Sequence, residues 1–97
     1  MKQVQLLFCN KVKLEDEREM ALEYFLTEMI SETDHVTPYF GVRVTKQLGV
    51  ISETDEVCGL SSSKEIAISI LGKLYQHQVT PITMVEIVDE LVTLGNV

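Results

Sequence analysis

The apolar residues between positions 61 and 78 recur at intervals of one, three and four, which places them on one face of a helix. Ser62 and Glu65 fit a capping box, in which each side chain binds a free backbone N–H at the helix start. We therefore predict a helix over about residues 63–76, and we interpret Gly72 as a point of close packing. The predicted buried stripe is Ile66, Ala67, Ile70, Leu71 and Leu74, widened by Ile68 and Tyr75.

A second helical pattern follows after a short connection. Thr80 is suited to the N-cap and Pro81 to the first helical position, where a missing N–H loses no hydrogen bond. Gly95 stands where a left-handed C-cap is expected, so we predict a helix over about residues 81–94. The predicted buried stripe is Ile82, Val85, Val88, Leu91 and Val92, flanked by Met84 and Ile87, with Glu86, Asp89 and Glu90 facing water.

Alternation of apolar and polar residues predicts strands in the first part of the chain. Residues 3–9 alternate in this way, Asn10 offers a turn, and residues 11–19 form a charge-dense connection or a short exposed helix. Further strands are predicted over about residues 22–31, 39–47 and 54–59, with a turn-forming segment from Ser31 to Pro38 and a strand end or bulge at Gly49.

Together these elements predict a single α+β domain over residues 1–97. The two helices are separated by about four residues, which makes them antiparallel neighbours. We expect an antiparallel β-meander or hairpin of three to four strands, packed on one face by the C-terminal antiparallel helix pair. The pattern leaves open whether the first 20 residues join the main sheet.

Composition and charge narrow the function classes. A chain that is 45% hydrophobic and 24% charged is typical of a folded protein and not of a disordered one. The net charge of −7 has the wrong sign for neutralising phosphates, so we expect no direct nucleic-acid binding. No apolar run reaches the roughly 18 residues that a membrane span needs. We therefore expect a cytoplasmic protein with no membrane partner, in which Cys9 and Cys58 are reduced.

Several sequence segments resemble those of a known family. They are Tyr24-Phe-Leu-Thr-Glu, Tyr39-Phe-Gly-Val, the serine-capped helix, and the stretch from Val79-Thr-Pro-Ile to Val88-Asp-Glu-Leu. Over roughly residues 22–92 the chain resembles a family of small bacterial proteins known only as a domain of unknown function. Relatives tend to carry a histidine where this chain has Thr83, so no polar role transfers to that position. The resemblance implies a bacterial cytoplasmic protein and supplies no activity.

Residues suited to catalysis or metal binding are few and widely spaced. Cys9, Cys58, His35 and His77 are zinc-ligand types, but no two stand at the short spacings of zinc motifs. Cys58 with either histidine would make a nucleophile and a base, yet its acidic surroundings favour a small buried thiol instead. The favoured role for His77 is that of an ordinary residue at a helix end. We expect no catalytic residue, no metal site and no cofactor.

Our first hypothesis is a non-enzymatic protein-interaction or regulatory module, with a protein partner or a second copy of itself as its ligand. An apolar patch on the surface of the monomer would favour this hypothesis. The candidate interface residues, chosen as aromatic, methionine and aliphatic side chains, are Tyr24, Tyr39, Tyr75, Met84, Ile87 and Leu94. A position in the core is the favoured alternative for Tyr24.

The alternative hypothesis is a small-ligand sensor or minor enzyme with a pocket between the sheet and the helices. Such a pocket would bind an anionic ligand through Arg43, His77, Ser62 and Ser63. A closed apolar cleft containing Arg43 would favour this hypothesis. A solid core with Arg43 in water would count against it.

Overall fold

A computed structural model describes residues 2–30 and 38–93 and has four antiparallel strands in the order β1-β2-β3-β4. Two helices follow and pack on the sheet, which confirms the predicted α+β class and the helix pair. The elements are β1 (Lys2–Lys13), β2 (Glu19–Met29), β3 (Tyr39–Leu48), β4 (Ile51–Ser61), α1 (Lys64–Gln76) and α2 (Pro81–Thr93). The predicted turn at residues 31–37 and the predicted cap at Gly95 lie outside the described residues.

Strand β1 is longer than predicted, and the predicted turn at Asn10 is wrong. Its pairing with β2 continues to Lys13, opposite Glu19, and the chain turns over residues 14–18. The side-chain amide of Asn10 donates a hydrogen bond to the carbonyl oxygen of Tyr75, 3.1 Å away at the end of α1. Long-range pairing therefore overrides the local preference of a turn-forming residue.

A β-bulge at Leu7 divides β1 into two halves. Leu6 pairs with Phe25 and Phe8 with Tyr24, so one extra residue stands between them and the alternation changes face. Phe8 therefore faces the helices and stacks on Tyr75 at a centroid distance of 4.8 Å. Leu6 lies on the opposite side of the sheet, called here the open face, where it is 46% exposed.

The core lies between β2, β3 and both helices. Alternate residues of the two strands face the helices because side chains of a strand point to opposite faces in turn. The buried apolar residues are Leu22, Tyr24, Leu26, Phe40, Val42, Val44, Ala67, Ile70, Leu71, Leu74, Val79, Met84 and Val88. The predicted stripe of α1 is confirmed except for Ile66, which is 38% exposed.

The predicted buried stripe of α2 is wrong at three of its five positions, whereas Val88 is buried and Leu91 is partly buried against the core, as predicted. Pro81, Met84 and Val88 are buried at spacings of three and four, and they dock α2 on the sheet. The residues predicted as buried but found exposed are Ile82 (83%), Val85 (48%) and Val92 (47%). Apolar residues lie on more than one side of α2, so spacing alone could not decide which side is buried.

The start of α1 lies one residue later than predicted. Ser63, and not Ser62, is the N-cap, and its hydroxyl accepts a hydrogen bond from the N–H of Ile66 at 3.4 Å. A capping box needs a glutamate three residues after the N-cap, but Glu65 is two residues after Ser63. The predicted capping box is therefore wrong. The start of α2 at Pro81 is confirmed.

Two glycines shape β3 and its turn to β4. Gly49 has a φ of 61° in a two-residue turn between the paired Leu48 and Ile51, which confirms the predicted strand end. Gly41 lies where β4 bulges toward it. A Cβ atom at Gly41 would overlap the Val57 carbonyl oxygen and would lie 3.0 Å from the Cα of Cys58. Because these neighbours are backbone atoms, only glycine fits there.

We expect the substitution Gly41→Ala to lower the free energy of unfolding by about 1–3 kcal/mol, because overpacking displaces β4. Gly72→Ala is the matched control, since a Cβ atom at Gly72 would meet nothing within 4 Å. The predicted close packing at Gly72 is therefore wrong, and alanine there should stabilise α1 by up to about 1 kcal/mol. Urea unfolding followed by circular dichroism measures both changes. Equal effects of the two substitutions would contradict this account of Gly41.

Candidate functional site

An open groove with a volume of about 260 Å³ runs between β4 and α2. It exists because β4 bulges: Phe40 pairs with Ser61 and Val42 with Val57, so three β4 residues lie opposite Gly41 alone. The groove is lined by Val57, Cys58, Gly59, Leu60, Val85, Val88, Asp89 and Val92. Most of this lining is apolar, and Val85 and Val92 continue it onto the exposed side of α2.

The charge around the groove is negative. Between them, β4 and α2 carry six carboxylates and contain no lysine or arginine. These carboxylates are Glu53, Asp55 and Glu56 of β4 and Glu86, Asp89 and Glu90 of α2. Lys46 of β3 lies 3.7 Å from Glu53, whereas the three α2 carboxylates form no ion pair with any other described residue. The groove itself has a mainly apolar lining with one carboxylate, Asp89, and the two elements that form it are acidic.

A second polar group, called here the Glu56 cluster, lies on the open face and comprises Glu56, Lys2, Arg43 and Cys58. Glu56 accepts hydrogen bonds from Lys2 Nζ at 2.5 Å and from Arg43 Nε at 3.0 Å. The thiol of Cys58 donates a third, at 3.1 Å. Because Lys2 belongs to β1 and Glu56 to β4, the lysine side chain reaches across the open face over β2 and β3.

The Glu56 cluster shifts two pKa values in opposite directions. Partial burial acts to raise the pKa of Glu56, but hydrogen bonds from Lys2 and Cys58 and the charge of Arg43 outweigh it, so the pKa is lowered. The hydrogen bond to Glu56, together with partial burial, raises the pKa of the Cys58 thiol. This setting favours the protonated thiol, which is the less nucleophilic form. Cys58 is exposed, however, so its predicted role as a small buried residue is wrong.

The four residues predicted to form an anion pocket do not come together. Arg43 alternates with the fully buried Val42 and Val44 and therefore lies on the open face, away from the helices. Ser63 caps the start of α1, and the exposed His77 caps its end, about 20 Å away at the usual helical rise. His77 thus has the helix-end position that the sequence predicted. Ser62 is exposed beside the N-cap.

The predicted interface residues are found in different settings. Tyr24 and Met84 are fully buried, so they cannot contact a partner, and the core alternative for Tyr24 is confirmed. Tyr75 is half-buried between rings, at 4.8 Å from Phe8 and 6.0 Å from Tyr24. Ile87 is partly buried against the core, Tyr39 is 55% exposed, and Leu94 lies outside the described residues.

Sequence reasoning missed the residues that α2 does expose, Ile82, Val85 and Val92. The sequence of α2 does contain more apolar residues than one face of a helix can hold. It could not show which face meets the sheet, because that depends on how Pro81 and Met84 dock.

The described parts of the chain contain neither a metal cluster nor a transmembrane helix. Across residues 2–30 and 38–93, no three His, Cys, Asp or Glu side chains lie close enough together to hold a metal ion. No helix in the same ranges has the length and apolar character needed to cross a membrane. His35, one of the four zinc-ligand types in the sequence, lies outside the described residues.

Fold and surface together define a small α+β protein whose helix pair covers one face of a four-stranded antiparallel sheet. The chain belongs to DUF6514, a family of unknown function, whose model matches residues 3–94. The match includes β1 and so extends beyond the predicted range of 22–92. A search of curated proteins and a search of solved structures each find no match.

The lowered pKa of Glu56 predicts acid sensitivity. A carboxyl group whose pKa is lower in the folded than in the unfolded state stabilises the fold above its unfolded pKa, and this contribution is lost as the pH falls through the folded pKa. The free energy of unfolding of the wild type should therefore fall as the pH drops from neutral to below 4.5, the ordinary pKa of the group. We expect this fall to be smaller in Glu56→Gln, which has no carboxylate to protonate at this position.

Urea unfolding at a series of pH values measures this dependence. Glu86→Gln is the control, because it removes a carboxylate that has no ion pair among the described residues. An equal effect of both substitutions on the pH profile would show that the Glu56 cluster does not contribute to acid sensitivity.

Proposed function

We propose that this protein is a non-enzymatic interaction module that binds another polypeptide, a protein partner or a second copy of itself, through β4 and α2. The observation that carries the proposal is the apolar groove beside β4, continued by the exposed residues Val85 and Val92. Ile82, which is 83% exposed, extends the apolar side of α2 toward the helix start.

The exposed apolar residues Val85 and Val92 of α2 adjoin the other apolar residues of the groove. Single exposed apolar side chains are common on monomeric proteins, but contiguous ones beside a groove are typical of binding sites. Covering apolar surface stabilises a complex by about 25 cal/mol per Å² removed from water. Val85 and Val92 are about half exposed, so a partner can bury the remainder of each side chain.

The shape of the groove favours a polypeptide over a small molecule. Small-ligand sites enclose most of their ligand and converge several polar groups on it. This groove is open, and Asp89 is the single charged side chain in its lining. An edge strand, β4, forms one wall, and free strand edges are a common way to bind an extended segment.

The negative charge of β4 and α2 opposes nucleic-acid binding. Six carboxylates on β4 and α2 repel a phosphate backbone, whose binding needs lysine and arginine. A bacterial, cytoplasmic setting stays a prediction that rests on the sequence resemblance and on the two free thiols of Cys9 and Cys58.

We expect the double substitution Val85→Glu/Val92→Glu to weaken partner binding at least about tenfold, since truncating or charging a central apolar contact commonly costs more than 1.4 kcal/mol. The measurement is retention of polypeptides from a lysate of the native host by the immobilised protein, followed by affinity measurement with the retained species. Because both positions are partly exposed, the variant should keep its fold, which circular dichroism checks.

Val50→Glu is the control for introducing a glutamate, because Val50 is fully exposed in the β3–β4 turn and does not line the groove. The control should bind like the wild-type protein. Equal binding by the double variant and the wild type would refute the proposed surface.

A further inference from the structure

The lining of the groove contains one carboxylate, Asp89, among mainly apolar side chains. Asp89 stands four residues after Val85 and three residues before Val92 on α2, so the three side chains lie on one stripe of the helix. All three residues are exposed. Because Asp89 lies between the two valines along α2, a segment that covers Val85 and Val92 also covers Asp89.

Asp89 has no counterion of its own. Within residues 2–30 and 38–93, its side chain forms neither an ion pair nor a hydrogen bond. The two elements that form the groove, β4 and α2, contain no lysine, arginine or histidine. Arg43 and Lys46 of β3, the strand next to β4, already pair with Glu56 and Glu53 respectively.

Covering the groove changes the surroundings of Asp89. In the free protein, water solvates this exposed carboxylate. A partner that covers Val85 and Val92 removes this water, and an ionised carboxylate that loses water without gaining a counterion disfavours binding. A lysine or arginine of the partner offsets this cost, because its charge-assisted hydrogen bond to the carboxylate replaces the lost water. An apolar or acidic residue at the same place would not.

We propose that the groove binds a segment in which a lysine or arginine stands between two apolar residues, with the cation on Asp89 and the apolar side chains on Val85 and Val92. This inference rests on the proposed function and gives the chemistry of the partner. Both attractive terms are needed at once, so neither a purely apolar segment nor a purely basic one fits the whole stripe.

The spacing of the stripe gives the spacing of the partner residues. Along the helix axis, Asp89 lies about 6 Å from Val85 and about 4.5 Å from Val92. Among the described strands β4 pairs with β3 alone, and its other edge favours an extended partner. Alternate side chains of an extended segment are about 7 Å apart. The expected pattern is therefore an apolar residue two positions before the cation and another two positions after it.

A second copy of this chain does not present that pattern. The sequence contains it around Lys46 and around Lys73 only. Lys46 belongs to β3 and Lys73 to α1, and the preceding apolar residues, Val44 and Leu71, are fully buried in the core. The partner is therefore a different protein.

Selection from a library of random peptides displayed on phage tests the pattern. The immobilised baits are the wild type, Asp89→Lys and Val85→Glu/Val92→Glu. We expect the wild type to enrich peptides with lysine or arginine between apolar residues. Asp89→Lys should enrich aspartate or glutamate at the same place between the same flanks, because the charge of its contact is reversed. Val85→Glu/Val92→Glu should enrich neither class.

Calorimetric titration with one enriched peptide measures the contact itself. We expect Asp89→Asn to weaken binding of this peptide at least about tenfold, as removal of one partner of a covered charge pair commonly does. When the cation of the peptide is replaced by methionine, Asp89→Asn should bind no more weakly than the wild type. This dependence on the peptide separates a direct contact from a general effect on the fold.

Glu90→Gln is the matched control, because it removes an exposed carboxylate of α2 that does not line the groove. It should change the affinity by less than about fivefold, the usual limit for an exposed charge. Circular dichroism establishes that every variant is folded before its binding is measured.

Three results would overturn the inference: enriched peptides without a cation between their apolar residues, equal affinity of Asp89→Asn and the wild type for the selected peptide, or no enrichment by the wild type above Val85→Glu/Val92→Glu. The first two would leave the proposed function standing, since peptides would bind the groove without using Asp89. The proposed function itself fails separately, if Val85→Glu/Val92→Glu binds the partner from the lysate as tightly as the wild type does.

Discussion

Burial of Tyr24 at the centre of the sheet is the interaction on which the rest of the structure depends. Its side chain is fully buried, and its hydroxyl donates a hydrogen bond to the carbonyl oxygen of Val79, 3.0 Å away in the connection between the helices. Burial raises the pKa of Tyr24 to about 12, so the hydroxyl stays a donor. An unpaired buried hydroxyl would cost about 1–3 kcal/mol, and this bond therefore fixes where the helices lie on β2. The Tyr75 ring, at 6.0 Å, extends the contact to Phe8 of β1.

That arrangement leaves the packing incomplete beside β4. Helix α1 packs mainly on β2 and β3, whereas α2 packs mainly on β4, the strand that bulges opposite Gly41. The groove forms at this bulge. Strands β3 and β4 approach each other closely at Gly41. The groove, in which apolar side chains stay exposed, lies beside this contact.

Local chemistry made part of this fold predictable from the sequence. Pro81 marked the start of α2 because proline is favoured at the first helical position, and the buried residues from Ala67 to Leu74 in α1 followed helical spacing. The extent of β1 was not predictable, because Asn10 and its charged neighbours are held in a strand by pairing with β2. The groove was equally inaccessible, since it arises from a bulge in β4 and from the rotation of an α2 helix with apolar residues on several sides.

The contact between Lys2 and Glu56 joins two strands that are not neighbours in the sheet. These residues belong to the two outermost strands, yet their side chains meet above the open face. The first and last strands are therefore coupled directly as well as through β2 and β3. The first residue of β1 is therefore held by an ion pair to the opposite border of the sheet as well as by its backbone pairing with β2.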